Sequence, residues 1–338
     1  MDRYSRQERV AGIGAAGQAR LRQASVLVVG CGALGTHAAD ALARAGIGRL
    51  CLVDRDIVEW SNLQRQVLFT EADAHAGLPK AVAAAARLRE VSTDCAVTAH
   101  VAECSASFLG SLPALPDLVI DGTDNFPTRY LLNDWCRQQR RPWIYAGAVG
   151  SEGASMVVHE DGPCLRCLWP EPPAASDVGT CETAGILAPA IAAVSAFQIA
   201  EALKRLVGQA PTTKGVFTCD VWRGHYAVLP LASGPAADCV VCAKHEYPAL
   251  LASPTAAATL CGRDAVQIDP GRRLGLDLAA MARQLAGIVT GLVSTEHLLR
   301  FEADGVRFTL FPGGRALLFG VRDPLRARAL YDRWVGGS

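Results

Sequence analysis

Residues 30–35 read Gly-Cys-Gly-Ala-Leu-Gly and follow the apolar run Ser-Val-Leu-Val-Val. Glycines spaced as G-x-G-x-x-G permit a tight turn, a close approach of the backbone to a phosphate, and close packing of a helix on a strand. A helix that begins there offers N–H groups and a positive dipole to the phosphate. The segment therefore predicts a nucleotide site whose residues are Gly30, Gly32, Ala33, Leu34 and Gly35.

An acidic residue, Asp54, ends the next predicted strand. A carboxylate at that place suits the hydroxyl groups of a ribose. The order of strand, glycine turn, helix, strand and acid favours a bound nucleotide over a glycine turn that holds no ligand. The turn and the acid leave NAD, FAD and ATP all possible.

The loop that follows Asp54 helps to distinguish among NAD, FAD and ATP. Residues 54–66 contain two further acids, an asparagine, two glutamines and Arg65. A dehydrogenase has little use for a cation beside a pyrophosphate that the backbone already holds. Three phosphates carry more charge, and arginine binds phosphate through a bidentate fork. Lys80, at the first turn of the next predicted helix, adds a second cation. Each cation alone could be a solvated surface group, but together they favour ATP.

Four cysteines form a second pattern that could do chemistry. The chain has 12 cysteines, and two C-x-x-C pairs join Cys164 to Cys167 and Cys239 to Cys242. Each pair can form one edge of a tetrahedral site, and four thiolates complete a structural zinc site. The alternative, a redox dithiol, is typical of a thioredoxin-like context, which surrounds neither pair.

Strands and alanine-rich helices alternate through the first 150 residues, which is typical of βαβ units. We predict an α/β fold: a Rossmann-like, mostly parallel sheet with helices on both faces, an antiparallel continuation, a zinc-pinned loop, and a small α+β C-terminal module. The domain boundaries predicted from the sequence are 1–247 and 255–338. The C-terminal module should contain a strand, a helix, a three-stranded meander and a closing helix.

Composition excludes several classes of protein. Lys+Arg and Asp+Glu both number 33, and the formal net charge is zero, which argues against a nucleic-acid partner or a basic membrane surface. The first residues are charged and polar, so we expect no signal peptide. The apolar stretch 186–203 is interrupted by Pro189, Ser195, Gln198 and Glu201, which predicts a buried helix rather than a membrane span. We expect a cytoplasmic protein.

Five segments together resemble the ThiF/MoeB/HesA family, the adenylyltransferases related to ubiquitin-activating enzymes. They are Tyr-Ser-Arg-Gln at 4–7, the glycine turn, the loop at 54–66, Gly-Leu-Pro-Lys at 77–80 and Asp-Gly-Thr-Asp-Asn at 121–125. The resemblance covers about residues 1–247. It implies an ATP site in a homodimer.

The resemblance also implies roles by position in these motifs. Asp54 would hold the ribose, and Asn62, Arg65 and Lys80 would contact the phosphates. Asp124 would hold Mg²⁺, which prefers carboxylate and phosphate oxygens, and Arg6 would reach the phosphates of the partner subunit's ATP. The full set implied to bind the nucleotide is Gly30, Gly32, Ala33, Leu34, Gly35, Asp54, Asp56, Asn62, Arg65, Gln66, Lys80, Asp124 and Asn125.

Among the cysteines, the resemblance implies zinc at Cys164, Cys167, Cys239 and Cys242 and a reactive thiol at Cys181. Cys181 lies in Thr-Cys-Glu-Thr, just before the apolar helix, and a helix N-terminus lowers a thiol pKa. The alternative interpretation is that Cys181 is a small hydrophobic side chain that only packs against its neighbours. The other seven cysteines are predicted to pack in the core.

The implied reaction is adenylation of the C-terminal Gly-Gly carboxylate of a ubiquitin-like sulfur-carrier protein. A sulfur donor, such as a cysteine desulfurase or a rhodanese, would then give the thiocarboxylate. The tail resembles the extension of bacterial thiazole-biosynthesis adenylyltransferases, which favours a ThiS-type carrier for thiamin over a MoaD-type carrier for molybdopterin. The alternatives from other classes are an NAD or FAD oxidoreductase, with no use for Arg65, Lys80 or Asp124, and a non-catalytic scaffold.

Overall fold

The computed structural model describes residues 3–173, 183–209, 215–252, 257–259, 265–271 and 274–336. The chain divides into two compact units, Met1–Ala252 and Ser253–Ser338. They are called the first and the second unit below.

Helices and strands alternate along the first unit. In chain order they are α1 (Gly14–Gln23), β1 (Ser25–Val29), α2 (Ala33–Ala45), β2 (Arg49–Asp54), a 3-10 turn (Trp60–Asn62), α3 (Glu71–Ala76), α4 (Lys80–Val91), β3 (Ala96–Val101), α5 (Ala106–Gly110), β4 (Leu118–Asp121), α6 (Phe126–Gln138), β5 (Trp143–Val149), β6 (Glu152–Val158), α7 (Leu165–Leu168), α8 (Ala188–Leu206), β7 (Gly215–Asp220), β8 (His225–Pro230) and α9 (Pro248–Leu251).

The strands of the first unit form one sheet in the order β3-β2-β1-β4-β5-β6-β7-β8. The pairs from β3 to β5 are parallel, and the pairs from β5 to β8 are antiparallel. From β1, the chain builds the sheet first in one direction, through β2 and β3, and then in the other, through β4 and β5. Ligands of such sheets bind outside the carboxyl ends of the strands at the point of reversal, here between β1 and β4. The predicted fold class is confirmed.

The central strands are buried on both faces because helices cover the sheet from both sides. Along β1, Val26 and Val28 pack into one apolar cluster with Leu42 of α2. Leu27 and Val29, which point the other way, pack into a second cluster. The alternation follows from the two-residue period of a strand and explains why β1 is apolar throughout.

The apolar stretch predicted as a buried helix forms α8, which packs on the sheet. Its buried residues include Val194 and also the polar Gln198 and Glu201. Within the described ranges, no helix combines the length and the apolarity needed to cross a membrane.

The second unit contains β9 (Ala257–Thr259), β10 (Ala265–Ile268), α10 (Leu278–Leu285), β11 (Thr290–Ser294), β12 (Leu299–Ala303), β13 (Val306–Leu310), β14 (Ala316–Phe319) and α11 (Pro324–Trp334). Its strands form an antiparallel sheet in the order β11-β12-β13-β14-β10-β9. The rings of Phe301 and Phe308 stack in its core with centroids 4.7 Å apart. The sequence predicted β10, α10, the meander β12–β14 and α11, whereas β9 and the largely exposed β11 were missed.

Three glycines make a close backbone crossing at the β1/β4 reversal. A Cβ atom on Gly35 would lie 1.8 Å from the carbonyl oxygen of Gly30. A Cβ atom on Gly122 would lie 2.4 Å from the same oxygen. The turn after β1 and the loop after β4 can therefore touch only because neither carries a side chain there.

We expect Gly35→Ala to lower the free energy of unfolding by about 3 kcal/mol or more, because a methyl group at that place forces two backbone segments apart. The measurement is urea unfolding followed by circular dichroism. Gly110→Ala is the control, since a Cβ atom at Gly110 meets no atom within 4 Å. Equal stability of the two variants would contradict the role of the crossing.

Candidate active site

The glycine turn leaves β1 and opens directly into α2. Gly30 has a φ of +87°, and its N–H donates to the carbonyl of Val53 at 2.9 Å. Gly32 is the N-cap of α2, and no side chain caps that helix. The first N–H groups of α2 are thus available to an anion, together with the positive end of the helix dipole.

The carboxylate of Asp54 joins the glycine turn to the loop after β2. It accepts hydrogen bonds from the backbone N–H of Cys31 and from that of Asp56, both at 2.6 Å. Burial raises the pKa of Asp54, and the nearby Lys80 opposes that rise. Each carboxylate oxygen keeps a further lone pair for a donor such as a ribose hydroxyl.

Lys80 brings a buried positive charge to the same edge of the sheet. It is the first residue of α4, and its side chain is only 6% exposed. Its Nζ lies 3.5 Å from Oδ2 of Asp56, and its N–H donates to the carbonyl of Asp56 at 2.8 Å. A buried ammonium requires such a partner, so Asp56 holds Lys80 in place before any ligand binds.

The segment 60–66 supplies the other polar groups predicted from the sequence. Asn62 is buried, and its Oδ1 accepts from the N–H of Glu59 at 3.0 Å. The partly exposed Arg65 donates from Nη1 to the carbonyl of Ser61 at 2.7 Å. Gln66 is buried, and its Oε1 has no hydrogen-bond partner among the described residues. An orphaned buried oxygen here can accept a hydrogen bond from a bound ligand.

Asp124 lies in the loop between β4 and α6 at this same edge. It is exposed, and the next residue, Asn125, caps α6 by accepting from the N–H of Thr128 at 2.9 Å. The structure therefore brings together the glycine turn, Asp54, Lys80 and the loop that carries Asp124 at the ends of neighbouring parallel strands.

The four cysteines of the two C-x-x-C pairs converge on one point. Their Sγ atoms all lie within 4.8 Å of one another. The distance is 3.7 Å from Cys164 to Cys239, 3.8 Å from Cys164 to Cys167, and 3.7 Å from Cys167 to Cys242. A tetrahedron with Zn–S bonds of about 2.3 Å has sulfur atoms about 3.8 Å apart, so this donor set fits zinc.

Neighbouring groups stabilise thiolates at this cluster. Arg137 of α6 donates from Nη2 to Sγ of Cys242 at 2.9 Å, and the N–H of Ala236 donates to Sγ of Cys167 at 3.4 Å. The contacts of Cys167 with the sulfur atoms of Cys164 and Cys242 lower the pKa of Cys167. Outer-shell donors of this type are a regular feature of metal sites.

Comparison with known proteins identifies the family. Residues 4–241 match the ThiF family. The chain belongs to the ThiF family. This ThiF-family chain is 39% identical to the sulfur carrier protein ThiS adenylyltransferase of Bacillus subtilis over 338 residues, which covers 99% of each chain. It is 40% identical to the SAMP-activating enzyme E1 of Haloferax volcanii over 243 residues, or 72% of this chain and 88% of that protein.

Solved structures support the fold. The crystal structure of E. coli MccB with ATP matches with a TM-score of 0.60 at 23% identity, over 71% of this chain and 73% of that one. This likeness shows that the ThiF-family chain shares the fold of MccB.

Arg6, which the resemblance assigned to the partner's site, does not reach the site of its own chain. Tyr4 is buried and donates to Asp94 at 3.0 Å, beyond the end of α4. Gln7 donates to the carbonyl of Ala45, the last residue of α2, at 2.9 Å. Since α2 has 13 residues and rises 1.5 Å per residue, its two ends lie about 20 Å apart. Arg6 is exposed at the end remote from the glycine turn.

Two buried residues beside the site were given no role of their own in the sequence analysis. Asp121 ends β4, and Arg129 lies on α6; Nε of Arg129 is 3.2 Å from Oδ2 of Asp121. Burial raises the pKa of Asp121, and the positive charge of Arg129 opposes that rise. The available signal was an aspartate at the end of an apolar strand, followed by an arginine inside the next predicted helix.

The remaining cysteines follow two patterns. Cys31, Cys95, Cys136 and Cys219 are buried, as expected of packing residues, and the partly buried Cys51 and Cys104 also pack against the core. Cys181 and Cys261 lie outside the described residues.

We expect the purified protein to contain about one zinc ion per chain and Cys167→Ser to lose it, because a closed four-thiolate site tolerates no missing ligand. Elemental analysis by mass spectrometry measures the zinc. Cys51→Ser, which removes a thiol outside the cluster, should keep the metal. A zinc-free wild-type protein from zinc-supplemented cells would contradict the assignment.

Proposed function

We propose that this ThiF-family chain is an adenylyltransferase that uses ATP to activate the C-terminal Gly-Gly carboxylate of a ubiquitin-like sulfur-carrier protein. The observation that carries the proposal is the meeting of an uncapped helix N-terminus, buried Lys80 and exposed Asp124 at one sheet edge. The relative from Bacillus subtilis, matched over 99% of its length, is named for this reaction on ThiS.

In this reaction, an oxygen of the carrier carboxylate attacks the α-phosphorus of ATP. The bond from the α-phosphorus to the α,β-bridging oxygen breaks, pyrophosphate leaves, and the carrier becomes an acyl-adenylate. The attacking carboxylate is already ionised, so no general base is needed. The enzyme must position two anions and neutralise their charge.

The chain offers groups for each part of that task. Asp54 would accept from the ribose, and the start of α2 would bind phosphate oxygens. Lys80, Arg65 and Asn62 would contact the phosphates, with Asp56 fixing Lys80. Asp124 would bind Mg²⁺, which supplies charge neutralisation at the phosphates when bound. Gln66 and Asn125 complete the proposed nucleotide site.

We further propose that zinc at the four cysteines is structural. All four protein ligands are sulfur atoms, so the site has no open coordination position for a reactant. An ion there would tie the segment around α7 to residues 239–242 and so stabilise the first unit.

The acyl-adenylate is an electrophile that sulfur can attack with AMP as the leaving group. The donor would be a persulfide of a cysteine desulfurase or a rhodanese, whose terminal sulfur attacks the acyl carbon, so that AMP leaves and an acyl disulfide forms. Attack of a thiolate such as that of Cys181 on the donor's sulfur would then release the thiocarboxylate and leave a disulfide between Cys181 and the donor. Cys181 would have no role in adenylation. A cytoplasmic location suits the cluster of four thiols, since disulfides are rare in that compartment.

We favour a ThiS-type carrier of thiamin thiazole biosynthesis over a MoaD-type carrier. The match to the Bacillus subtilis ThiS adenylyltransferase extends through the second unit, whereas the match to the archaeal enzyme covers 72% of this chain. An oxidoreductase would use the glycine turn and Asp54 but would give Arg65, Lys80 and Asp124 no role.

The place of Arg6 supports a homodimer with shared sites. Its side chain is exposed, and the length of α2 places it about 20 Å from the glycine turn of its own chain. Tyr4 and Gln7 anchor the backbone on either side of Arg6. A cation fixed in this way can serve the phosphates of the partner subunit's ATP.

We expect carrier-dependent exchange of labelled pyrophosphate into ATP, stimulated more by a ThiS-type than by a MoaD-type carrier.

Asp124→Ala should lower exchange by about 10²-fold or more, because the phosphates lose their metal ligand. Cys181→Ala should retain exchange and lose thiocarboxylate formation, measured by mass spectrometry of the carrier. An oxidoreductase or a scaffold would give no exchange, and full exchange by Asp124→Ala would refute the metal role.

Mixing two inactive variants tests whether Arg6 acts across the dimer. Arg6→Ala and Asp124→Ala homodimers should each lack exchange activity. After subunit exchange, each heterodimer has one site with both Arg6 and Asp124 intact, so activity should return to about a quarter of wild type. An inactive mixture with proven heterodimers would mean that Arg6 acts within its own chain, whereas a fully active Arg6→Ala homodimer would mean that Arg6 has no role.

A further inference from the structure

The peptide that carries Asp124 is held by a buried ion pair. We propose that Asp121 and Arg129 are positioning residues, which fix the Thr123–Asp124 peptide and thereby set the affinity of Asp124 for a divalent cation. This inference rests on the proposed metal-binding role of Asp124. Neither residue touches the nucleotide in this proposal, and both act through the loop.

The carboxylate of Asp121 binds the loop directly. Its Oδ1 accepts from the N–H of Thr123 at 2.9 Å and from the hydroxyl of Thr123 at 2.6 Å. Its Oδ2 accepts from Nε of Arg129 at 3.2 Å and from the N–H of Ala146 at 3.4 Å. One fully buried carboxylate thus ties the loop after β4 to β5 and to α6.

The guanidinium of Arg129 holds Thr123 from its carbonyl side, at the peptide that joins Thr123 to Asp124. Nη2 donates to the carbonyl of Thr123 at 2.8 Å and to that of Ala146 at 2.9 Å. The rings of Phe126 and Tyr145 flank the cation, with centroids 5.1 and 5.2 Å from Cζ. The planar guanidinium donates to three acceptors at once from Nε and Nη2, in a fixed geometry that a lysine ammonium does not reproduce.

These contacts restrict the backbone on both sides of Asp124. Thr123 is held through its N–H, its hydroxyl and its carbonyl, and Asn125 is held by its cap on α6. The exposed Asp124 side chain therefore starts from a fixed backbone. Metal sites depend on such support, since an outer partner commonly changes metal affinity 10–100-fold.

A second buried ion pair, between α6 and α7, offers a matched control. Arg166 lies 2.9 Å from Asp134, and the side-chain exposures are 7% and 0%, the same as for Arg129 and Asp121. Arg166 otherwise donates to the carbonyl of Pro170, and none of its hydrogen bonds reaches residues 121–125. Breaking either pair leaves a buried carboxylate without its cation, so both should lower stability.

The experiment measures Mn²⁺ binding by electron paramagnetic resonance, with the homodimer and an ATP analogue that has a methylene group between the α and β phosphorus atoms. We expect Arg129→Gln to raise the Kd for Mn²⁺ by about tenfold and Thr123→Val to raise it several-fold. Arg166→Gln should stay within about twofold of wild type while its melting temperature falls. Exchange assays should show a matching rise in the Mg²⁺ concentration at half-maximal rate, with the KM for the carrier unchanged.

The outcomes separate this inference from the proposed function. If Asp124→Ala leaves Mn²⁺ binding intact, the metal role of Asp124 is wrong. If Asp124→Ala weakens binding and Arg129→Gln does not, the positioning role alone is overturned. Should Arg129→Gln fail to fold, the conservative Thr123→Val decides: wild-type affinity in that variant, or an equal loss of affinity in Arg166→Gln, overturns the inference.

Discussion

The architecture of the site depends on backbone packed against backbone at the crossing of Gly30, Gly35 and Gly122. Parallel strands bring their carboxyl ends to one edge, but side chains normally keep the loops beyond them apart. Here the carbonyl of Gly30 lies against the Cα atoms of the other two glycines. The start of α2 and the loop with Asp124 consequently lie side by side, so a phosphate-binding dipole and a carboxylate can act on one ligand.

Charge at this edge is largely balanced within the protein. Lys80 pairs with Asp56, and Asp54 accepts from two backbone N–H groups. Such pairing lowers the cost of keeping an ammonium away from water. Under the proposed function, a triphosphate would therefore be attracted by a sum of groups: the helix dipole, the partly exposed Arg65, and the cation that we propose for Asp124.

The parts of this structure that could be predicted from sequence are those in which a functional residue is close in the chain to the helix or strand that positions it. The glycine turn, the strand-ending Asp54 and the helix-starting Lys80 each lie within a few residues of the element that positions them. The two C-x-x-C pairs suggested a shared site, but the long separation of Cys164 from Cys239 in the chain left their convergence to be implied by the family resemblance. By contrast, the contact of Arg129 with Ala146 joins α6 to β5, and no spacing rule encodes such long-range pairing. The exposed strand β11 was missed for a local reason: its sequence is short and lacks the apolar pattern that predicts a strand.

Helix α6 serves two regions at once. Its first residues anchor the loop that carries Asp124, whereas Arg137, near its other end, contacts a cysteine of the four-thiol cluster. A helix of 13 residues is about 20 Å long. A substitution that tilts the helix to suit one region would therefore also move the other, and residues 129–136 between the two ends are all buried.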